Sequence, residues 1–358
     1  MNEPPRIRDD LVDVRAYLAP QVEASVRLNT NESSYPLPDS FSEDLAETVR
    51  RIPFNRYPDR EATALRKGLA EKEGHPVEGL WVGNGSNEVI QHLCLAYGGS
   101  GRRALVFEPT YGLHSLIPRI TGMELVSARL GQDFVLTPEE ARAGMSRYRP
   151  AIAFACSPNN PTGNAHLLAT IQALCEWSDT LVIVDEAYGE FGGVSSALLL
   201  ERFRNLVVLK TFSKAYALAA ARIGYCLADP AIVGELARVR LPYHLSALTQ
   251  ATGEVALRHT GEAEGVLEAI RIERDRLYSE LKKMPAVEAF PSSANFVMFR
   301  TPADASSLWQ GLLDRGVLVR DVSAAPGCER CLRVTAGKPE ETDAFLKALG
   351  EALVEERV

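Results

Sequence analysis

Four short apolar runs, each breaking off into a polar loop, constrain what this chain can fold into more than any other feature of it. They stand in ALVFEPTYGLHSLIPRI, AIAFACSPNNPTGNAHLLATIQALCEWSD, LVIVDEAYGEF and LVVLKTFSKAYALAAARIGY. Runs that are apolar throughout, with no polar alternation, fit strands covered on both faces, and the helix-patterned stretches between them complete an α/β, mostly parallel sheet. In an open sheet of that kind ligands sit beyond the carboxyl ends of the strands. The loops holding Asn160, then Asp185, Glu186 and Tyr188, then Ser213 and Lys214, should therefore converge on one crevice.

Lys214 stands where the strand Leu206 to Leu209 has ended and regular structure breaks. A lysine near other cations is more easily deprotonated, and its neutral amine attacks carbonyl carbon. Ser213 offers a hydroxyl and Arg222 a guanidinium, so the stretch suits a phosphorylated aldehyde held by its phosphate and joined to Lys214 as a Schiff base. A solvated lysine beside a surface arginine has the same look. A second anion site is suggested by LWVGNGSNEVIQHLCLAYGG, where a short strand, Leu80 to Val82, meets a glycine turn and a helix start at Ser86 and Asn87. Free N–H groups there, backed by the helix dipole, attract a phosphate, although any plain strand-turn-helix reads alike.

With 358 residues, 46% of them apolar, the chain suffices for one large domain and a smaller one. A formal charge of -8 argues against general nucleic-acid binding, which leans on clustered Lys and Arg. No apolar run approaches the ~20 residues of a membrane span, and acidic residues in MNEPPRIRDDLVDV stand where a signal peptide would have its apolar core. A cytoplasmic protein is expected. Of six cysteines several sit inside apolar runs, as buried thiols do; Cys328 and Cys331 form the one close pair, too poor in neighbouring ligands for zinc and open to a redox reading.

Residues 1–45 mix short apolar patches with Pro, Asn and Ser and show no long helical period, which suggests an extended arm. Tyr17, Asn29, Asn31 and Tyr35 either line a cleft or satisfy loop backbone. Asp59 is placed to cap a helix with Ala62, Leu65 and Leu69 on its apolar face. From about Asp229 long helical stretches lead to short strands in AVEAF, NFVMFR, GVLVRDV and CLRVTAG and to a closing helix whose first turn holds Pro339 and Glu340. The expected division is an arm over 1–45, a large domain over 46–230, and an interdomain helix with a small α+β domain over 231–358.

In order along the chain, NGSNE, PTY, SPNNPTG, DEAY and SKAYALAAARIGY resemble the pyridoxal-phosphate-dependent aminotransferases of fold type I. RLNTNES, RYPD, RLPYHLSALTQA, SSANFV, GVLVRD and CLRVTAGKPEETDAFL extend the resemblance, over nearly the whole chain, to the histidinol-phosphate aminotransferase branch. The resemblance implies pyridoxal 5'-phosphate as cofactor, with Lys214 as the Schiff-base lysine and proton carrier and Asp185 holding the ring nitrogen protonated. It implies that Asn160 and Tyr188 bond the ring 3'-oxygen, that Tyr111 stacks on the ring, and that Ser86, Asn87, Ser213 and Arg222 hold the cofactor phosphate. It further implies a homodimer, with Tyr57 reaching the neighbour's cofactor phosphate, and a substrate site of Arg333, Arg320, Tyr17 and Asn29.

The implied reaction exchanges an amino group between L-glutamate and 3-(imidazol-4-yl)-2-oxopropyl phosphate. An arginine fork that accepts carboxylate or phosphate lets one pocket serve both substrates. An aromatic amino-acid aminotransferase, a lyase or decarboxylase, and a non-catalytic regulator on the same fold are the rivals. Two departures stand out: NESSYP where the branch usually has NENPYG, and YALAAAR where glycine commonly precedes the arginine, an added methyl expected to tighten or shift a helix bearing Arg222.

Overall fold

The computed structural model describes residues 5–14 and 22–355. Strand β1 (Val26–Arg27) opens the described segment from residue 22, followed by helices α1 (Asp39–Arg50) and α2 (Thr63–Glu73). Strand and helix then alternate through β2 (Leu80–Asn84), α3 (Ser86–Tyr97), β3 (Arg103–Glu108), α4 (Leu113–Ile120), β4 (Glu124–Arg129), α5 (Pro138–Tyr148), β5 (Ile152–Cys156), α6 (Leu168–Cys175) and β6 (Leu181–Asp185). Strands β7 (Leu206–Thr211) and β8 (Ile223–Ala228) complete a seven-stranded sheet in the order β2-β8-β7-β6-β5-β3-β4. It is parallel from β4 to β7, while β8 runs antiparallel to both its neighbours.

The apolar runs are continuous because both faces of this sheet are covered. Along β6, Val182 and Val184 enter one core with Leu105, Ala153 and Val208, while Leu181 and Ile183 enter another with Val106, Phe154 and Leu209. Each such burial contributes roughly 1.5–3 kcal/mol, so the strand ends that carry polar residues are anchored in the best-packed part of the molecule.

Helices α7 (Pro230–Leu236), α8 (Ala247–Arg258) and α9 (Thr260–Lys283) follow, the last 24 residues long. The remaining strands, β9 (Glu288–Ala289), β10 (Phe296–Arg300), β11 (Val317–Leu318), β12 (Arg320–Asp321) and β13 (Cys331–Thr335), stand among α10 (Ala305–Asp314) and α11 (Pro339–Glu355). An antiparallel sheet runs β12-β13-β10-β9, and β1 pairs in parallel with β11. The chain after β1 is gripped by the small sheet: Leu28 donates its N–H to Leu318 O at 2.8 Å and accepts from Thr335 N at 3.0 Å.

Three local expectations are corrected. Residues 39–50 are helical although no long helical period marks them, because α1 fully buries Phe41 alone. The helix after Asp59 begins at Thr63: the carboxylate accepts from Glu61 N at 2.9 Å and Thr63 N at 2.7 Å, with Ala62 between them in a left-handed conformation, φ 47°. Arg222 is borne on no helix. It follows the short turn Ala219–Ala221 at φ 53°, the reversal that sends the chain back into antiparallel β8. Among the described residues no helix is long and apolar enough to cross a membrane, and no cluster of His, Cys, Asp and Glu is arranged to hold a metal ion.

Candidate active site

The carboxyl ends of β5, β6 and β7 open into a cleft of about 210 Å³, room for an organic ring where one liquid water occupies about 30 Å³. Lys214, Asp185, Tyr188, Ser86, Asn87, Tyr111, Asn160, Ser213, Arg222, Asn29, Arg320 and Arg333 all line it. Tyr57 does not: it is 80% exposed and stacks on Tyr243 with ring centroids 4.5 Å apart. Tyr17 lies outside the described residues.

At one end of the cleft the first turn of α3 faces the β7–β8 connection. Gly85 is left-handed at φ 81°, and a Cβ there would collide with the Arg222 guanidinium; one on Gly224 would collide with the backbone at Ser86. Both glycines are required for this close approach. Arg222 Nη1 donates to Ser213 Oγ at 3.2 Å, and Thr211 Oγ1 donates to the same hydroxyl at 3.0 Å. Amide N–H groups at a helix start, two hydroxyls and a guanidinium make a cradle for a compact anion.

Lys214 lies between this cradle and the small sheet, its Nζ donating to Thr30 O at 2.8 Å. Burial pulls its pKa down to about 8, with the positive charges of Arg333 and Arg222 acting the same way and Glu32 opposing them. The amine is thus partly neutral near physiological pH, as a nucleophilic or proton-carrying lysine must be.

Asp185, 2% exposed, closes the floor. Its Oδ1 accepts from Ala187 N at 3.0 Å, and its Oδ2 lies 2.9 Å from His114 Nε2. A carboxylate only accepts, so the imidazole carries the proton of that bond. His114 is fully buried on α4, stacked on Phe154 at 5.0 Å and edge-on to Tyr111 at 5.4 Å, which holds its ring in one orientation.

The opposite wall joins the two sheets. Tyr188 OH accepts from Asn31 Nδ2 at 2.9 Å and Asn160 Nδ2 at 3.4 Å, and burial raises its pKa, so the phenol keeps its proton. Arg333 donates to Asn160 Oδ1 and, at 2.8 Å, to Asn29 O, and its guanidinium lies 5.0 Å from the centre of the Phe296 ring. Arg320 is its cross-strand partner in the β12–β13 register. Four cationic side chains, Lys214, Arg222, Arg320 and Arg333, thus face the single carboxylate of Asp185 around the cleft.

Sequence reasoning missed His114 and Thr211 and left Asn31 undecided. Asn31 lines the cleft and reaches Tyr188. His114 lies in the first turn of α4, one hydrogen-bonded turn past Tyr111, its N–H donating to Tyr111 O at 2.9 Å. Nothing local tied it to Asp185, 71 positions away.

A partly buried lysine of lowered pKa just past a strand end, a carboxylate at the end of the adjacent strand and an anion cradle at a helix start fit the aminotransferases of class I and II. The model of that family, aminotransferase class I and II, matches residues 23–349. The chain is 47% identical to the histidinol-phosphate aminotransferase of Frankia casuarinae, over 97% of this chain and 90% of that one, and 48% identical to that of Streptomyces avermitilis, over 96% of each. The chain belongs to the histidinol-phosphate aminotransferase family. In fold it matches the crystal structure of the Sinorhizobium meliloti histidinol-phosphate aminotransferase in complex with pyridoxal-5'-phosphate, with a TM-score of 0.88 at 23% identity over 97% of this chain and 98% of that one.

Proposed function

We infer that the protein interconverts L-histidinol phosphate and 2-oxoglutarate with 3-(imidazol-4-yl)-2-oxopropyl phosphate and L-glutamate, an aminotransferase step of histidine biosynthesis. The observation that carries this reading is the cross-strand pair Arg320 and Arg333 facing Lys214 across the cleft, in a chain of this family.

The residues fit pyridoxal 5'-phosphate: the cradle of Ser86, Asn87, Ser213 and Arg222 suits its phosphate, Asp185 its ring nitrogen, Tyr188 and Asn160 its phenolic oxygen, and Tyr111 one ring face. Bound there, the cofactor supplies an aldehyde carbon for Lys214 and a ring that accepts electrons. Asp185 would keep a proton on the ring nitrogen, and the donor His114 keeps the carboxylate oriented in the cleft. Lys214 Nζ would serve as the base that takes the substrate Cα proton and as the acid that gives it back. Arg333 and Arg320 would orient the substrate's anion, carboxylate in one half-reaction and phosphate in the other. Tyr188, uncharged, donates its hydroxyl proton toward the ring oxygen.

A homodimer completes this reading. Phe54 (66%), Tyr57 (80%) and Leu241 (75%) are exposed apolar side chains, and a second copy covering them would bring Tyr57 to the partner's phosphate cradle. The arm over 1–45, large domain over 46–230 and remainder over 231–358 remain the division we propose, the arm pairing with β11 through β1.

The substrate assignment is tested by kcat/KM for histidinol phosphate against phenylalanine, both with 2-oxoglutarate. Histidinol phosphate should lead by about tenfold or more, because its phosphate offers Arg320 and Arg333 three oxygens and up to two charges where phenylalanine offers one carboxylate, and Arg333→Gln should raise KM for both and narrow that lead. A preference for phenylalanine would move the protein to the aromatic aminotransferases. The lowered pKa gives a separate test. Uptake of pyridoxal phosphate by the cofactor-free protein should rise roughly fiftyfold from pH 6 to pH 8 and level off above pH 9, following the neutral fraction of an amine titrating near 8. A rate still climbing about tenfold from pH 8 to pH 9 would mean an ordinary lysine.

A further inference from the structure

Cys328 and Cys331 are both buried, at 0% exposure, in a small cluster with Met298 and Phe134, while Gly327, Glu329 and Arg330 of the same turn are exposed. The N–H of Cys331 donates to Cys328 O at 2.9 Å, closing a four-residue turn with Arg330 left-handed at φ 60°. Such a turn holds its end Cα atoms within about 7 Å, and a disulfide spans about 4.4–6.8 Å. Both residues are free thiols. A third sulfur adjoins them: Cys328 Sγ lies 3.9 Å from Met298 Sδ.

Cys331 differs in acidity from the other cysteines, Cys328 included, whose thiol is pushed up by its contact with Cys331 and by burial. Contact with the Cys328 thiol and the nearby Arg300 guanidinium together hold Cys331 below the ordinary cysteine range, against its burial. Cys94, Cys175 and Cys226 are pushed up to about 12 by burial, and Cys156 is driven up as well. Arg300 also braces the turn, donating to Gly327 O at 2.8 Å and Glu329 O at 3.2 Å.

The register connects this turn to the cleft. Arg300 stands opposite Cys331, and Met298 opposite Arg333, so Cys331, Met298 and Arg333 share one face of the β10–β13 pair. Cys331 is the first residue of β13 and Arg333 the third. Closing an S–S bond brings the sulfurs to about 2.05 Å, which draws in the start of β13 and removes the neighbour against which Met298 packs. Displacements of about 1 Å in an orienting group cost up to ~10²-fold in rate.

We propose that Cys328 and Cys331 form a reversible disulfide, closed by hydroperoxides and opened by dithiols, that weakens anionic-substrate binding at Arg333. The Cys331 thiolate attacks the terminal peroxide oxygen and breaks the O–O bond, leaving a sulfenic acid and an alcohol, or water when the oxidant is hydrogen peroxide. The Cys328 thiol then attacks that sulfur, the S–S bond forms and water leaves. Two thiols give up two electrons to the peroxide, and an external dithiol returns them through exchange, becoming a disulfide itself.

The effect on binding rests on the reading of Arg333 as the substrate's anion site; closure of the bond does not. The test uses the full-length holoenzyme and hydrogen peroxide. After peroxide treatment and alkylation under denaturing conditions, the peptide holding residues 328–331 should carry no alkyl groups and be two hydrogens lighter. The KM for glutamate should rise about tenfold with kcat changed less than twofold, and dithiothreitol should reverse both changes. Cys331→Ser should keep its KM through the treatment, and Cys328→Ser, which can close no bond, should give no peptide two hydrogens lighter, its Cys331 stopping at the sulfenic acid. Thiols that remain alkylatable would overturn the modification, and a closed disulfide with unchanged KM would overturn its coupling to the cleft. An Arg333→Gln variant with unaltered glutamate KM would instead count against the anion-site reading, while the mass result stood.

Discussion

Lys214→Ala is expected to lose at least about 10⁴-fold in kcat if, as proposed, one amine both joins the cofactor aldehyde and carries the proton, since general acid–base catalysis by itself is worth about 10²–10⁴-fold. Its fold should survive. The Lys214 pKa is depressed in the folded state, from 10.5 to about 8. The ammonium's burial cost is therefore present in full below pH 8 and relieved as pH rises toward 10.5. At pH 7 the alanine variant lacks that cost, on the order of 3 kcal/mol, so its Tm should equal or exceed that of the parent. The check is turnover with histidinol phosphate on cofactor-reconstituted protein and thermal unfolding of the cofactor-free protein at pH 7, where Lys214 is a free amine. Turnover within tenfold of the parent would remove Lys214 from the chemistry, and inactivity with a collapsed Tm would leave only a folding defect.

Asp185→Asn should lower kcat by about 10³-fold, the scale seen when a preorganised electrostatic partner is removed from a dry site. The amide cannot hold a proton on a ring nitrogen as a carboxylate does, and one of its two polar atoms would face either the His114 or the Ala187 donor wrongly. His114→Phe provides the contrast. It keeps the stacking volume against Phe154 and leaves the carboxylate only its Ala187 donor, so a loss of about tenfold is expected, comparable to one charge-assisted hydrogen bond. Steady-state kinetics on both variants give the order. A phenylalanine variant as damaged as the asparagine one would make the imidazole more than an orienting group, and an asparagine variant within tenfold of the parent would strip Asp185 of its role.

What could be read from the chain beforehand was set by short-range pattern. β5, β6 and β7 announce themselves as apolar runs because both faces of the sheet are covered, and α3 begins at Ser86 because a glycine turn precedes it. Helix α1 was hidden because a helix that fully buries one side chain carries no long apolar stripe. The course of β8 was hidden too. Its six residues are buried like those of the parallel strands, and composition does not distinguish the direction in which a buried strand runs.

By itself the sequence determined that a lysine and a carboxylate stand at the ends of apolar strands, and that a glycine turn leads into a helix start, since each follows from residues within a few positions of one another. Only the tertiary structure decided that His114 meets Asp185, that Asn31 and Asn160 share the Tyr188 hydroxyl, and that Arg333 spans from the small sheet to Asn160. The reason is that a hydrogen bond tolerates only a few tenths of an ångström. Its partners are chosen by strand order and by the packing of one sheet against the other, neither of which any local stretch of the chain records.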